Sequence, residues 1–450
     1  MLMSICNSES VDFKACGALK VVADFSGGHV TSDAGVLLLR ETDERLKLCE
    51  SAAAVIPDPR NPAKIQHSQV SILQQRVFAL ALGYEDVIDH DSLCNDFAFQ
   101  TATGRDQKLA GASTVGRLEH RCDRTTMWDL HRVLLDTFFS AHDVAPQEIV
   151  LDLDSTNFTV HGQQEGRSFN AYYDDNIFLP LYIFCGRHLL LSYLRPGRVD
   201  NMKHVMPIMK ILIAEIKKRW PGTKIVVRGD SGFYRPHFLS WLEKNRVAYL
   251  IGFAQNSALN RCGRFAAAEA EKLFEKNNSK SRCVDSFFYH AGSWVRPLKG
   301  KKRKKEHIVR KVIVRAETGE KGTDLRYVVT NIKGSSKDIY EAYCQRGEME
   351  NRIKDAKNHM FADRTSSIYW MANQFRMMLS SLAYTLVEGL RRFGLQGTEL
   401  ETAEVTTVRT KILKIGAVII RNTRRVVLKM SEAYPYKELY LGIAARLRPA

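Results

Sequence analysis

Glu148-Ile-Val-Leu-Asp-Leu-Asp154 decides how the chain reads. Its apolar residues predict a buried β-strand that ends at Asp154, where the turn-forming Ser155-Thr156-Asn157 begins. Asp152 lies two residues before Asp154, so both carboxylates face the same side of the strand. Downstream, Ile177 to Cys185 and His188 to Leu194 read as a hairpin around Cys185-Gly186-Arg187. Val205 to Trp220 reads as a helix stopped by Pro221-Gly222. Lys224 to Arg228 is a short strand leading to Gly229-Asp230. Tyr234 to Lys244 reads as a helix and Val247 to Phe253 as a strand. The order is strand, hairpin, helix, strand, helix, strand, which a mixed α/β sheet covered by helices accommodates. The continuous apolar runs Ile225-Val226-Val227 and Tyr249-Leu250-Ile251 suit strands covered on both faces.

Working outward, the rhythm breaks between Asn256 and Asp324. Helical sequence runs to Phe274, followed by β-like Ser286 to Trp294 and His307 to Arg315, with the basic loop Pro297 to Lys305 between them. Leu325 to Asn331 is again a strand, and Ile339 to Phe361 a helix. Upstream, Ser32 to Phe139 reads as helical: Ser32 caps a helix through Val36, Leu37 and Leu38, Val70, Leu73, Val77 and Leu80 recur at helical spacing, and Ser113 or Thr114 starts a helix toward Leu118. The tail is basic and mainly helical, with Arg421, Arg424 and Arg425. The expected divisions are a helical region at 1–145, a core at 146–255, a β-rich insertion at 256–324, a second core segment at 325–395 and a basic helical region at 396–450.

The 450 residues carry 66 Lys plus Arg against 50 Asp plus Glu, a formal charge of +16. Such an excess points to a polyanion, nucleic acid ahead of an anionic membrane, although a merely basic enzyme has the same balance. No apolar run reaches the ~20 residues of a membrane span, and Met1 to Lys14 lacks a signal-peptide pattern. The nine cysteines include no C-x-x-C pair, which argues for a reducing cytoplasm and against a zinc site or disulfide framework. The N-terminal helices suit DNA binding or dimerisation, and equally a helical packing domain.

An aspartate at the mouth of a buried strand is costly unless it binds a cation or caps a turn. Asp154 and Asp230 both stand in such places, and either role explains each alone. The helix around Glu350 adds more. Tyr343, Arg346, Glu350 and Lys357 sit at offsets of 0, 3, 7 and 14, which at ~100° per residue fall within about 60° on a helical wheel. A solvated face with an Arg346–Glu350 ion pair explains the charges but not Tyr343.

Tyr343-x2-Arg346-x3-Glu350-x6-Lys357 resembles the Y-R-E-K signature of bacterial insertion-sequence transposases with an Asp-Asp-Glu site. Asp154-Ser155-Thr156 and Arg228-Gly-Asp230-Ser-Gly-Phe233 resemble the contexts of their two aspartates. Asp58-Pro-Arg-Asn-Pro-Ala-Lys64, Gln75-Arg-Val-Phe-Ala-Leu80 with Gly83-Tyr84, His161-Gly-Gln163 and Leu413-Lys-Ile-Gly-Ala417 resemble the insertion-sequence 1380 family, so the likeness spans nearly the whole chain.

The resemblance implies a ribonuclease-H-like α/β core interrupted by a β-rich insertion, with helical N-terminal and C-terminal regions. It implies cut-and-paste DNA transposition through hairpin ends, with Asp154, Asp230 and Glu350 as catalytic metal ligands. Two Mg²⁺ ions are expected, Mn²⁺ substituting, because carboxylates are the natural ligands of paired hard cations. Tyr343, Arg346 and Lys357 would hold DNA phosphates. Trp294 is a candidate for holding a flipped base, although an ordinary hydrophobic role suits it too. Lys301, Lys302 and Arg303, within the Lys299 to Lys305 run, are candidates for backbone contact, against a solvated loop. The partners expected are the transposon's terminal inverted repeats, target DNA and a second copy in the synaptic complex, in a nucleoid-associated cytoplasmic setting. Asp152 is an alternative first ligand. A ribonuclease-H-like nuclease, or a silent DNA-binding descendant of a transposase, is the rival reading.

Overall fold

The computed structural model describes residues 10–298 and 301–448, without side chains over 296–305. The chain forms two compact units. One takes the N-terminal stretch through Thr126, His359–Phe361 and the chain from Leu382; the other takes Met127–Asn358 and Ala362–Ser381.

The second unit is built on an eight-stranded sheet. Its strands are β1 (Glu148–Ser155), β2 (Leu181–Cys185), β3 (His188–Tyr193), β4 (Lys224–Gly229), β5 (Ala248–Phe253), β6 (Ser281–Tyr289), β7 (Arg310–Gly319) and β8 (Gly322–Thr330). They lie in the order β6-β7-β8-β5-β4-β1-β2-β3. β1 with β4 and β4 with β5 are parallel, and the other neighbours are antiparallel.

Alternation along the strands sends side chains to two faces. Ile149, Leu151 and Leu153 of β1, with Ile225 and Val227 of β4, join one core with helices α1 (Val205–Arg219), α2 (Pro236–Lys244) and α3 (Ser257–Asn277). Val226, Leu250, Ile313 and Val328 face the opposite way, against Ile339 and Tyr340 of α4 (Ser336–Cys344). Val150 packs on that second face, so Asp152 and Asp154 point to the side where α4 lies.

Several local expectations need correction. Ile177 and Phe178 belong to Asp175–Phe178, in a separate three-stranded sheet with Phe158–Thr159 and Ser168–Asn170; Pro180, which has no N–H, divides this run from β2. The basic stretch after Trp294 is not a plain loop: Val295–Leu298 and Lys301–His307 pair as an antiparallel hairpin. β6 and β7 extend the central sheet. The helix read over 339–361 breaks after Cys344 and resumes as α5 (Gly347–Lys354), then widens into a π-turn at Asp355–His359.

The other unit contains helices Val36–Leu46, Leu48–Val55, Gln69–Leu82 and Ala112–Leu118. Ser68 caps Gln69–Leu82, its hydroxyl accepting from the Ser71 N–H. Ser32 caps nothing; its hydroxyl donates to Asp33, and Val36–Leu46 starts without a side-chain cap. Two strand groups went unforeseen. Ser10–Cys16 and Leu19–Asp24 form a hairpin, and the tail is not mainly helical, since Ala417–Arg421 pairs with both Val426–Met430 and His29–Thr31. The β-branched runs Val418-Ile419-Ile420 and Val426-Val427 favour strand there.

Trp294 lies in the core, at 0% exposure, as the ordinary hydrophobic role expects. Its Nε1 donates to Tyr234 Oη. Its ring stacks on Phe253 at 5.6 Å, and the Arg310 guanidinium lies 4.9 Å from its centroid. Replacing it by alanine is expected to cost about 3–5 kcal/mol of stability in denaturant unfolding, with DNA affinity unchanged in the fraction that stays folded.

Candidate active site

The parallel pairing of β1 and β4 runs in register from Lys224 opposite Glu148 to Gly229 opposite Leu153. The next residues, Asp154 and Asp230, therefore emerge side by side at the carboxyl ends of adjacent strands, where open α/β sheets place their ligand sites. Asp154 Oδ1 accepts from the Ser155 N–H at 2.8 Å. Asp230 Oδ1 accepts from the Gly232 N–H at 2.8 Å, capping the short turn Ser231–Phe233. The capping role is real for Asp230, but the residue also lines a cleft with Gly252, Tyr343, Arg346 and Glu350.

Arg346, in the turn between α4 and α5, joins the acids. Its Nη1 lies 3.4 Å from Asp154 Oδ2 and its Nη2 2.9 Å from Glu350 Oε1. Burial pushes the Asp154 carboxyl up to about 7; Arg346 opposes this, while the charges of Asp230 and Glu350 add to it. The three acids thus share one electrostatic site. Burial also raises the Tyr343 phenol and lowers the Lys357 ammonium. Lys357 reaches the loop after β1, its Nζ 3.4 Å from Asn157 Oδ1.

Asp152 is committed elsewhere. It is 1% exposed and bound by Arg228 through Nε–Oδ1 at 2.5 Å and Nη2–Oδ2 at 2.8 Å. Arg228 Nη1 also donates to the carbonyl of Ala342, beside Tyr343. The strand pair is thereby tied to the helix that carries the phenol. Arg195 works similarly: it donates to the Leu179 and Asn201 carbonyls at 2.8 and 2.7 Å, and to Ser155 Oγ at 2.6 Å. Neither arginine was singled out from sequence. For Arg228 a signal existed, because a cation inside an apolar strand needs a buried acid.

The model of the family described as transposase DDE domain group 1 matches residues 13–450. The chain belongs to the DDE transposase family. Among solved structures, it is similar to a piggyBac transposase synaptic complex with hairpin DNA, at 14% identity, covering 85% of this chain and 80% of that one, with a TM-score of 0.39. No curated protein matches. DNA transposition is accordingly the function of the chain.

DDE transposases generally use divalent metal ions. Among the described residues, no three His, Cys, Asp or Glu side chains are gathered closely enough to grasp an ion as they stand, and Arg346 bridges Asp154 and Glu350. The donor chemistry nevertheless fits: three carboxylates form an all-oxygen set of the kind hard divalent cations take, and the raised Asp154 carboxyl marks a buried acid short of positive charge. The backbone of Lys301, Lys302 and Arg303 lies in the basic hairpin; their side chains, and all of Lys299 and Gly300, lie outside the described residues. No described helix is long and apolar enough to cross a membrane. The described cysteines are all free.

Exchanging each strand aspartate for asparagine should separate their roles. Asp152→Asn leaves Arg228 buried without its counter-charge and is expected to lose about 3–5 kcal/mol of stability. Asp154→Asn should abolish end cleavage with stability retained. A β-carbon at position 252 would lie 2.7 Å from Ser231 N and 2.8 Å from Tyr343 Oη. Gly252→Ala is therefore expected to slow cleavage at least ~10-fold, about 1.4 kcal/mol in the barrier, in a single-turnover assay.

Proposed function

We propose that this transposase cuts and rejoins DNA at Asp154, Asp230 and Glu350, and belongs to the Y-R-E-K group within the insertion-sequence 1380 family. The observation that carries this is Arg346, which contacts the first aspartate and the glutamate at once and stands three residues from Tyr343. A nuclease needs the acids alone; a buried phenol and a guanidinium beside them suit a site that grips the phosphate it cuts. The order β3-β2-β1-β4-β5, antiparallel then parallel, supports a ribonuclease-H-like core, with 256–324 as the interruption before the glutamate helix.

Asp154, Asp230 and Glu350 would hold two Mg²⁺ ions, or Mn²⁺ in their place. Bound there, such ions stabilise the charge on attacking and leaving oxygens. Asp154 takes its position from β1 and the Ser155 N–H, Asp230 from its own cap, and Glu350 from α5. Arg346 neutralises two of the acids and is the cation placed to meet a phosphate oxygen. Tyr343 supplies a phenol O–H to the same cleft, and Lys357 a cation near Asn157. Water first attacks a phosphorus at the transposon end, breaking the P–O3′ bond and freeing a 3′-hydroxyl. That hydroxyl attacks the opposite strand, closing a hairpin and releasing the flanking DNA. Water reopens the hairpin, breaking its P–O3′ bond and restoring the 3′-hydroxyl, which then attacks a target phosphorus and displaces a target 3′-oxygen. Joining two ends calls for a homodimer, and the expected setting is the nucleoid.

Incubating the protein with its flanking inverted repeats and Mg²⁺ is expected to yield hairpinned ends on a denaturing gel. Tyr343→Phe and Arg346→Gln should each lower the yield by ~10-fold or more, about 1.4 kcal/mol. Hydrolysed ends without hairpins or joined products would favour a nuclease, and uncut DNA under every divalent ion would contradict the reading.

A further inference from the structure

The stretch Asp58-Pro-Arg-Asn-Pro-Ala-Lys64 finds no use in the catalytic site, yet it organises a cluster of cations. Arg60 Nη2 lies 2.6 Å from Asp58 Oδ2, and Arg121 Nη1 lies 3.2 Å from Asp58 Oδ1. Both guanidiniums are fixed a second time, Arg60 on the His67 carbonyl at 2.8 Å and Arg121 on Gln69 Oε1 at 2.8 Å. Burial chiefly lowers both the Arg121 guanidinium and the His67 imidazole; the charges of Arg60 and Arg117 add to the first and those of Arg105 and Arg60 to the second, so these cations lie within electrostatic reach of one another. Arg117 is braced by the Ser113 carbonyl at 3.0 Å and Thr114 Oγ1 at 3.2 Å. Arg105 Nε and His67 Nδ1 are buried without a hydrogen-bond partner. Lys64 and Arg117 are exposed.

Of these cations, Asp58 holds only Arg60 and Arg121; bringing Arg117 within reach of Arg121, and Arg105 of His67, adds like-charge repulsion that opposes folding. The arrangement becomes favourable beside a polyanion: Arg60, Arg117 and Arg121 are already held in place and lose little freedom on meeting a phosphate. We propose that Arg60, Arg105, Arg117 and Arg121, with Lys64 and His67, form a clamp for the DNA backbone, separate from the catalytic residues. The clamp grips phosphates and so fixes where the DNA lies without reading its sequence. It rests on the chain being a DNA transposase but not on the assignment of the catalytic acids.

The test is fluorescence anisotropy of a labelled duplex bearing the terminal inverted repeat, titrated across NaCl concentrations. Each lost phosphate contact flattens the plot of log affinity against log salt by ~0.9. Lys64→Gln/Arg117→Gln, both exposed positions, should flatten it by about 2, and adding Arg105→Gln by nearly 3. Affinity should fall at least ~10-fold at ~0.1 M salt, with thermal unfolding unchanged in the double variant. Asp154→Asn should keep the wild-type slope while losing cleavage. If the folded double variant keeps wild-type slope and affinity while the wild type still cuts its ends, the clamp is wrong and the transposase site stands. If the wild type neither binds nor cuts the duplex, both fall.

Discussion

Two aspartates cannot be set side by side at the end of a sheet without cost, and the β1–β4 pairing does this. Its register carries Asp154 and Asp230 out of neighbouring parallel strands at the same level. Asp154 is largely enclosed, and burial together with two nearby acids raises its carboxyl to about 7. Much of the surrounding structure answers this one constraint. Arg346 supplies the compensating charge and, by pairing with Glu350 as well, draws the third acid to the same cleft. The break between α4 and α5 is where that arginine stands.

Strand alternation then divides labour between two acids that the sequence makes look alike. Asp152 and Asp154 share a face, but Asp152 lies deeper and meets Arg228 on the adjacent strand. The same guanidinium holds the Ala342 carbonyl, so a structural ion pair aims α4, and with it Tyr343, toward the carboxyl end of the sheet. An ion pair buried this far contributes little net stability compared with apolar packing, but breaking half of it is expensive. Its use here is to fix the relation of strand to helix.

Sequence carried the central strands, the helices that cover them and the candidate acids, because apolar period and turn residues are local signals. It did not separate the settings of Asp152 and Asp154, since the partner of Asp152 lies 76 residues away. Trp294 stands out in sequence only as an aromatic in the β-like insertion, where a base contact and a core role read alike; its burial depends on Phe253, Tyr234 and Arg310 from other elements. A helical wheel over Tyr343 to Lys357 assumed one continuous helix, whereas the chain breaks at Gln345–Arg346 and widens at Asp355–His359. The tail strand Ala417–Arg421 owes its place partly to His29–Thr31, nearly the whole chain away.

The central claim is that Asp154, Asp230 and Glu350 form one cation site while Asp152 stands apart. Calorimetric titration of Mn²⁺ into the DNA-free protein tests it without relying on activity. Binding should vanish in Asp154→Asn and Asp230→Asn, weaken in Glu350→Gln, and persist in Asp152→Asn under conditions where that variant is folded. Wild-type binding in Asp154→Asn, or its loss only in folded Asp152→Asn, would contradict the account.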